Sequence, residues 1–129
     1  MDASEWRVLA TVAFGGGVGS VCRYAATLWT TNRFGTVMPY GTLLVNVVGC
    51  FIIGLFMTVT TERIIINPYW RLLLSVGFLG GLTTFSSFSY ETWRLLMDGE
   101  VLWAAGNITL NLIVGLVATW LGIALGRLL

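Results

Sequence analysis

Apolar residues run almost unbroken through four stretches of the chain, residues 8–31, 40–61, 72–93 and 101–126. No polar stripe recurs along any of them, so none reads as the amphipathic helix of a water-soluble core. Each meets the length of about 20 mostly apolar residues that a helix needs to cross a bilayer. The first carries a single charge, Arg23, and the third a single charge, Glu91, near its end; the second and fourth carry none. Trp6 and Arg7, Trp29 and Arg33, Tyr69 to Arg71, and Trp93 and Arg94 stand near the span ends, where aromatic and cationic side chains anchor at the membrane surface. The pattern predicts an all-α integral membrane protein, one four-helix transmembrane domain over residues 1–129.

The connections are short. Residues 32–39 carry Gly35 and Pro39, residues 62–71 carry the turn signal Asn67-Pro68, and Asp98-Gly99-Glu100 reads as a tight polar turn. None leaves room for an extramembrane domain between spans. The first span is longer than the apolar segment of a cleaved signal peptide, and Asp2 and Glu5 precede Arg7, so it is expected to stay.

Composition narrows the function classes. Of the 129 residues 57% are hydrophobic and 10% charged, with a mean hydropathy of +0.85. Soluble domains carry about 25% charged residues, so a soluble enzyme and a disordered chain are excluded. The seven basic residues are all Arg, and six acids leave a net charge of +1. That makes no basic track for phosphates, and nucleic acid is not an expected partner. His is absent, and no paired carboxylates or nucleophile–base pair stand in the spans, so an enzyme is not expected. Cys22 and Cys50 lie in apolar stretches and are expected to be buried as small hydrophobes.

Arg placement sets topology. With four spans, Arg7, Arg63, Arg71 and Arg127 share one side, while Arg33 and Arg94 lie on the other with Arg23 nearer to it. So slight a bias suits insertion in both orientations.

Polar groups inside spans are costly and therefore functional candidates. Arg23 follows the glycine-rich stretch Gly15-Gly16-Gly17-Val18-Gly19-Ser20, and Asn46 follows Gly41-Thr42-Leu43-Leu44-Val45. Asn107 and Asn111 are four apart and share a helix face. Gly15/Gly19, Gly77/Gly81 and Gly122/Gly126 have the spacing that lets helix backbones approach. Residues 80–89, Gly-Gly-Leu-Thr-Thr-Phe-Ser-Ser-Phe-Ser, are the least helix-like part of the chain. Gly allows an irregular backbone there, and Ser and Thr can satisfy the groups it frees. A broken helix of this kind can offer carbonyls to a bare monovalent cation or amides to an anion. Phe85 and Phe88, at i and i+3, fall on one side, and their positive ring edges could join Ser and Thr hydroxyls around a small anion.

These residues together resemble the Fluc (CrcB) fluoride channels over essentially the whole chain. Gly15–Arg23 is similar to the family's glycine-rich first helix ending in Arg, and Gly41–Asn46 to its Gly-Thr-Leu-x-x-Asn. Residues 80–89 match its third-helix string, with Ser87 in place of the usual Thr. The resemblance implies an antiparallel, dual-topology homodimer with a break in the third helix, letting cytoplasmic fluoride leave passively through the plasma membrane (the bacterial inner membrane). It implies a pore drawing on Asn46, Phe85, Phe88, Ser86, Thr42, Asn111 and Arg23. It also implies a structural Na⁺ at the dimer centre, on backbone carbonyls of Gly80 and Thr83. One departure stands out: where many members have Gly-Ser after the position of Asn111, this chain has Val114-Gly115. Two other classes fit the composition. A small four-helix proton-coupled exporter would need an acid in the first span, which has none. A non-conducting, holin-like accessory protein would not need Asn46, Phe85 and Phe88 together.

Overall fold

The computed structural model describes residues 1–129 and is helical throughout, with no strand. Four helical spans are long and apolar enough to cross a membrane. Here α1 is Ala3–Phe34, α2 is Tyr40–Arg63, α3 is 68–82, α4 is Phe85–Met97 and α5 is Val101–Leu128. α3 and α4 together make the third span.

All four spans extend beyond the expected apolar cores by up to five residues, because flanking polar residues join the helices, and polar side chains cap the starts of α1 and α3. Asp2 accepts from the backbone N–H groups of Ser4 (2.8 Å) and Glu5 (3.0 Å), while Glu5 accepts from Asp2 N–H (2.7 Å). That reciprocal box fills orphan donors of the first turn, and the Ser4 hydroxyl with these amides holds the Asp2 carboxyl below the usual carboxylate range. The Asn67-Pro68 pair, expected as a turn, starts α3: the Asn67 side chain accepts from Tyr69 N–H and Pro68 occupies the first turn. Gly35 ends α1 at φ 86°, and Gly99 turns the chain between α4 and α5 at φ 77°.

Glycines decide which helices touch. A Cβ on Gly15 or Gly19 would strike backbone atoms of Leu73 or Phe78, so α1 lies directly against α3. Gly54 and Gly122 bring α2 and α5 together in the same way, against Thr119 and Phe51 backbone. The buried apolar cluster is small: Val45, Leu79 and Leu82, flanked by Ala26, Ile52, Ile53 and Phe78. Most large apolar side chains face outward, as they should in lipid. Cys22 is among the exposed residues and Cys50 is half-buried, so the expectation of two buried cysteines fails. In a bilayer the exterior is apolar too, and a small hydrophobe has no reason to turn inward.

Three of the spans contain π-helical turns: Val59–Arg63 closes the second, Leu72–Phe78 lies in the third and Leu110–Val114 in the fourth. Helical geometry lapses at Thr83 (φ −84°, ψ 155°) and Thr84 (φ −153°, ψ 119°), which are extended. α4 then begins with Thr84 as its cap, its side chain accepting from Ser87 N–H at 3.2 Å.

Candidate functional site

The extended pair Thr83–Thr84 is held by α2. Asn46 accepts from Thr84 N–H through Oδ1 (2.8 Å) and donates from Nδ2 to Thr84 O (3.0 Å). One amide thus satisfies both backbone groups of a residue that has left the helix. The amide orientation is fixed by the Thr84 N–H, which accepts nothing and must face the oxygen. The second N–H of Asn46 goes to Asn111 Oδ1 (2.9 Å). Both donors expected for an anion are therefore engaged within the chain.

Asn111 lies in the π turn of α5, where its Nδ2 donates to the backbone oxygen of Asn107 (2.9 Å) and to its Oδ1 (3.0 Å). Asn107 is fully buried and donates to Thr92 Oγ1 at 3.0 Å. Thr92 in turn donates to Phe88 O at 2.8 Å. Phe88 is 7% exposed and Phe85 73%, with ring centroids 5.4 Å apart. The two rings are neighbours, one inward and one on the outer face. Ser86 is exposed and lies 3.3 Å from Thr84 Oγ1, which also donates to Ser87 Oγ at 3.1 Å.

An open groove of about 360 Å³ lies on one face of the chain beside these bonds. Asn46, Thr83, Thr84, Phe85, Phe88 and Asn111 border it, and so does Gly80, which is exposed with nothing within 4 Å of a Cβ built on it. Thr84 N–H, which a continuous helix would direct to Gly80 O, goes to Asn46 instead.

A second cavity of about 330 Å³, the polar cavity, lies between α1, α2 and α4 and is lined mainly by polar residues: Ser20, Arg23, Thr27, Thr42, Ser87 and Glu91, with Tyr24. The structure therefore splits the predicted residues: Asn46, Phe85, Phe88, Asn111, Gly80 and Thr83 border the groove, Arg23 and Thr42 border the second cavity, and Ser86 borders neither. Thr42 donates to Glu91 Oε1 at 2.9 Å, and Glu91 Oε2 is buried with no partner. Glu91, Thr84, Thr92 and Ser87 were missed as site residues. For Glu91 a signal existed, since it is the sole acid in any span, and Thr84 and Ser87 stand in the irregular stretch 80–89; for Thr92 there was none, because a Thr in a helix usually bonds its own i−4 carbonyl.

Paired amides beside an extended backbone and aromatic rings next to hydroxyls thus stand together along one groove of a membrane helix bundle. The profile of the family described as CrcB-like protein, Camphor Resistance (CrcB), matches residues 10–123. The chain belongs to the CrcB family. A relative from Geotalea daltonii named "Fluoride-specific ion channel FluC" is 50% identical over 112 residues, which is 87% of this chain and 90% of the relative. Relatives of the same name from Geotalea uraniireducens and Solibacter usitatus are each 48% identical, covering 92% and 90% of this chain and 95% of each relative. Within the CrcB family match fall all the residues of both the groove and the polar cavity. The Val114-Gly115 departure also falls there. Gly115 is buried, and a Cβ added to it would meet only Cys50 Sγ, at 3.5 Å, so the backbone has room for the serine that this chain lacks.

Proposed function

We propose that this chain is a fluoride-specific ion channel that lets cytoplasmic fluoride leave passively down its electrochemical gradient, lowering its toxicity. The observation that carries the reading is the near full-length identity, up to 50%, to relatives named for fluoride conduction. The work is transport, not catalysis.

Physical chemistry gives the route its form. Fluoride is small and holds its water tightly, so a pathway must replace water with donors and exclude larger ions by fit. The Phe85 and Phe88 ring edges at the groove, with the exposed Ser86 hydroxyl between them in sequence, are the proposed substitutes. Asn46 and Asn111 contribute donors by exchange, as the ion competes with an amide oxygen for one N–H. That competition keeps binding weak enough for the ion to move on. Arg23 and Thr42 serve in the polar cavity, where the guanidinium raises the local anion concentration.

The working unit in this proposal is an antiparallel, dual-topology homodimer in the plasma membrane, the inner membrane of a bacterium. In a lone chain the half-buried Asn46 and Thr83 and the exposed Gly80 backbone would border hydrocarbon across the open groove, and polar groups there are costly. A second copy laid on the groove removes that cost and uses the same patch twice. A structural Na⁺ belongs to the same centre. The carbonyl of Gly80 lacks its helical donor and lies on an exposed glycine, and neutral oxygens of this kind suit a hard monovalent cation. Gly80 and Thr83 carbonyls would hold it; the ion would fix the extended backbone and tie the copies together.

The test is release of anions from liposomes holding purified protein. Fluoride release without chloride release is expected. Equal rates for both overturn selectivity, and a need for a proton gradient favours a coupled exporter. Replacing all Na⁺ by a large organic cation is expected to slow fluoride release at least about tenfold, the scale of losing one or more charge-assisted contacts. Unchanged release rejects the role of Gly80 and Thr83.

A further inference from the structure

The side-chain amides of Asn46, Asn111 and Asn107 form one hydrogen-bonded relay whose two ends are backbone groups at the start of α4. It begins at Thr84 N–H, which donates to Asn46 Oδ1 (2.8 Å). Asn46 Nδ2 donates to Asn111 Oδ1 (2.9 Å), and Asn111 Nδ2 to Asn107 Oδ1 (3.0 Å). Asn107 Nδ2 then donates to Thr92 Oγ1 (3.0 Å), whose hydroxyl donates to Phe88 O (2.8 Å). A backbone N–H only donates and a backbone carbonyl only accepts, so every amide between them has one sense. Turning Asn107 over would set its NH₂ against the NH₂ of Asn111 and withdraw the donor from Thr92. Asn107 has 0% exposure and borders neither the groove nor the polar cavity. It lies two hydrogen bonds from the Asn46 amide.

We propose that Asn107 is a positioning residue for conduction: through Asn111 it braces the Asn46 amide, whose sense the Thr84 N–H sets, and so holds Thr84 and the turn carrying Phe85 and Phe88. This rests on the channel reading above. The relay closes on itself, from the cap of α4 through α2 and α5 back to the first turn of α4. A fault at Asn107 therefore reaches the rings from both ends, through Thr84 and through the Phe88 carbonyl. A polar residue that merely joined helices would affect stability and leave the Thr84 amide alone.

The experiment uses Asn107→Leu, close in volume and unable to donate or accept, and Thr92→Val, which keeps shape and removes the acceptor at the relay's end. Each is reconstituted and measured for fluoride release, and the Thr84 amide proton is followed by NMR in the intact protein. Asn111 keeps one acceptor in Asn107→Leu, the residue-107 backbone oxygen, so release is expected to slow about tenfold and not to stop. The Thr84 resonance is expected to move upfield as its bond to Asn46 loosens. Thr92→Val is expected to give the same changes at about a third of that size. Thr119→Val, whose hydroxyl bonds only Gly115 O in its own helix, is the control and keeps the parent rate. Parent rates in both relay variants overturn the proposal, and so does slow release with the Thr84 resonance unmoved. If Asn107→Leu does not fold, Thr92→Val decides by the same two readouts. If the parent protein releases no fluoride, the channel reading fails, while the resonance still judges the relay.

Discussion

Gly19→Ala is expected to remove most of the folded protein, whereas Gly17→Ala, two positions away on α1, is expected to do no harm. A Cβ on Gly19 would run into the Phe78 carbonyl oxygen and stand 2.8 Å from Leu82 N and 3.0 Å from Phe78 C. All three are backbone atoms, and no rotamer change moves them aside. α1 and α3 must separate, losing the close approach at Gly15, Gly77 and Gly81 as well. Overpacking costs about 1–3 kcal/mol where side chains can give way, so a backbone obstacle belongs at or above that range. In lipid no hydrophobic force presses the helices back together, and the lost packing is not recovered elsewhere. Nothing lies within 4 Å of a Cβ on Gly17, and alanine there improves helix propensity by about 1 kcal/mol. The thermal midpoint and the yield of monodisperse protein in detergent check both. Gly19→Ala is expected to lower the midpoint by at least about 5 °C; an unchanged midpoint would mean that the two helices do not meet at this glycine.

The contrast shows what can be read from sequence in a membrane protein. Length and apolarity locate the spans because the bilayer sets both, and the spacing of Gly15/Gly19 and Gly122/Gly126 marks helix contacts because only glycine lets backbones touch. What faces inward is another matter. In water, an apolar side chain reports the core; here it reports nothing, and Cys22 and Phe85 are both exposed. Polar residues carry the directional information, but only within a helix. Asn107 and Asn111 are legible as one face from their spacing of four. That Asn46 on α2 should meet Asn111 on α5 and bind Thr84 depends on glycine-mediated docking of three helices. Asn67-Pro68 was legible too, but as a turn; the residues that stop one helix also cap the next. The sense of the amide relay lies beyond sequence altogether, because it is set by two backbone groups on one helix and completed on the others.

Asn46→Leu is expected to reduce fluoride release about a hundredfold or more while the chain still assembles in the membrane. The leucine fills the same volume but leaves the Thr84 N–H, the Thr84 carbonyl and Asn111 Oδ1 without the partners they have at 2.8, 3.0 and 2.9 Å. Thr84 is 8% exposed, so water does not readily replace them, and each orphaned buried group costs about 1–3 kcal/mol. The nearest remedy is local. If Thr83 and Thr84 adopt helical dihedrals, Thr84 N–H can return to Gly80 O. That closes the carbonyl proposed for Na⁺. It also turns whatever follows by about 100° per residue converted. α4 cannot follow freely, since Thr92 is bonded to Asn107 and Gly99 ties α4 to α5 by a tight turn. The chain must therefore either keep orphaned polar groups beside the pathway or displace Phe85 and Phe88 from it, and both outcomes stop conduction. Asn46→Gln, which keeps the amide on a longer arm, is expected to retain more release than Asn46→Leu. Release measured with a fluoride-selective electrode, alongside size-exclusion profiles of both variants, checks the ranking. Parent-like release from Asn46→Leu would mean that the Thr84 tether plays no part in the ion's path.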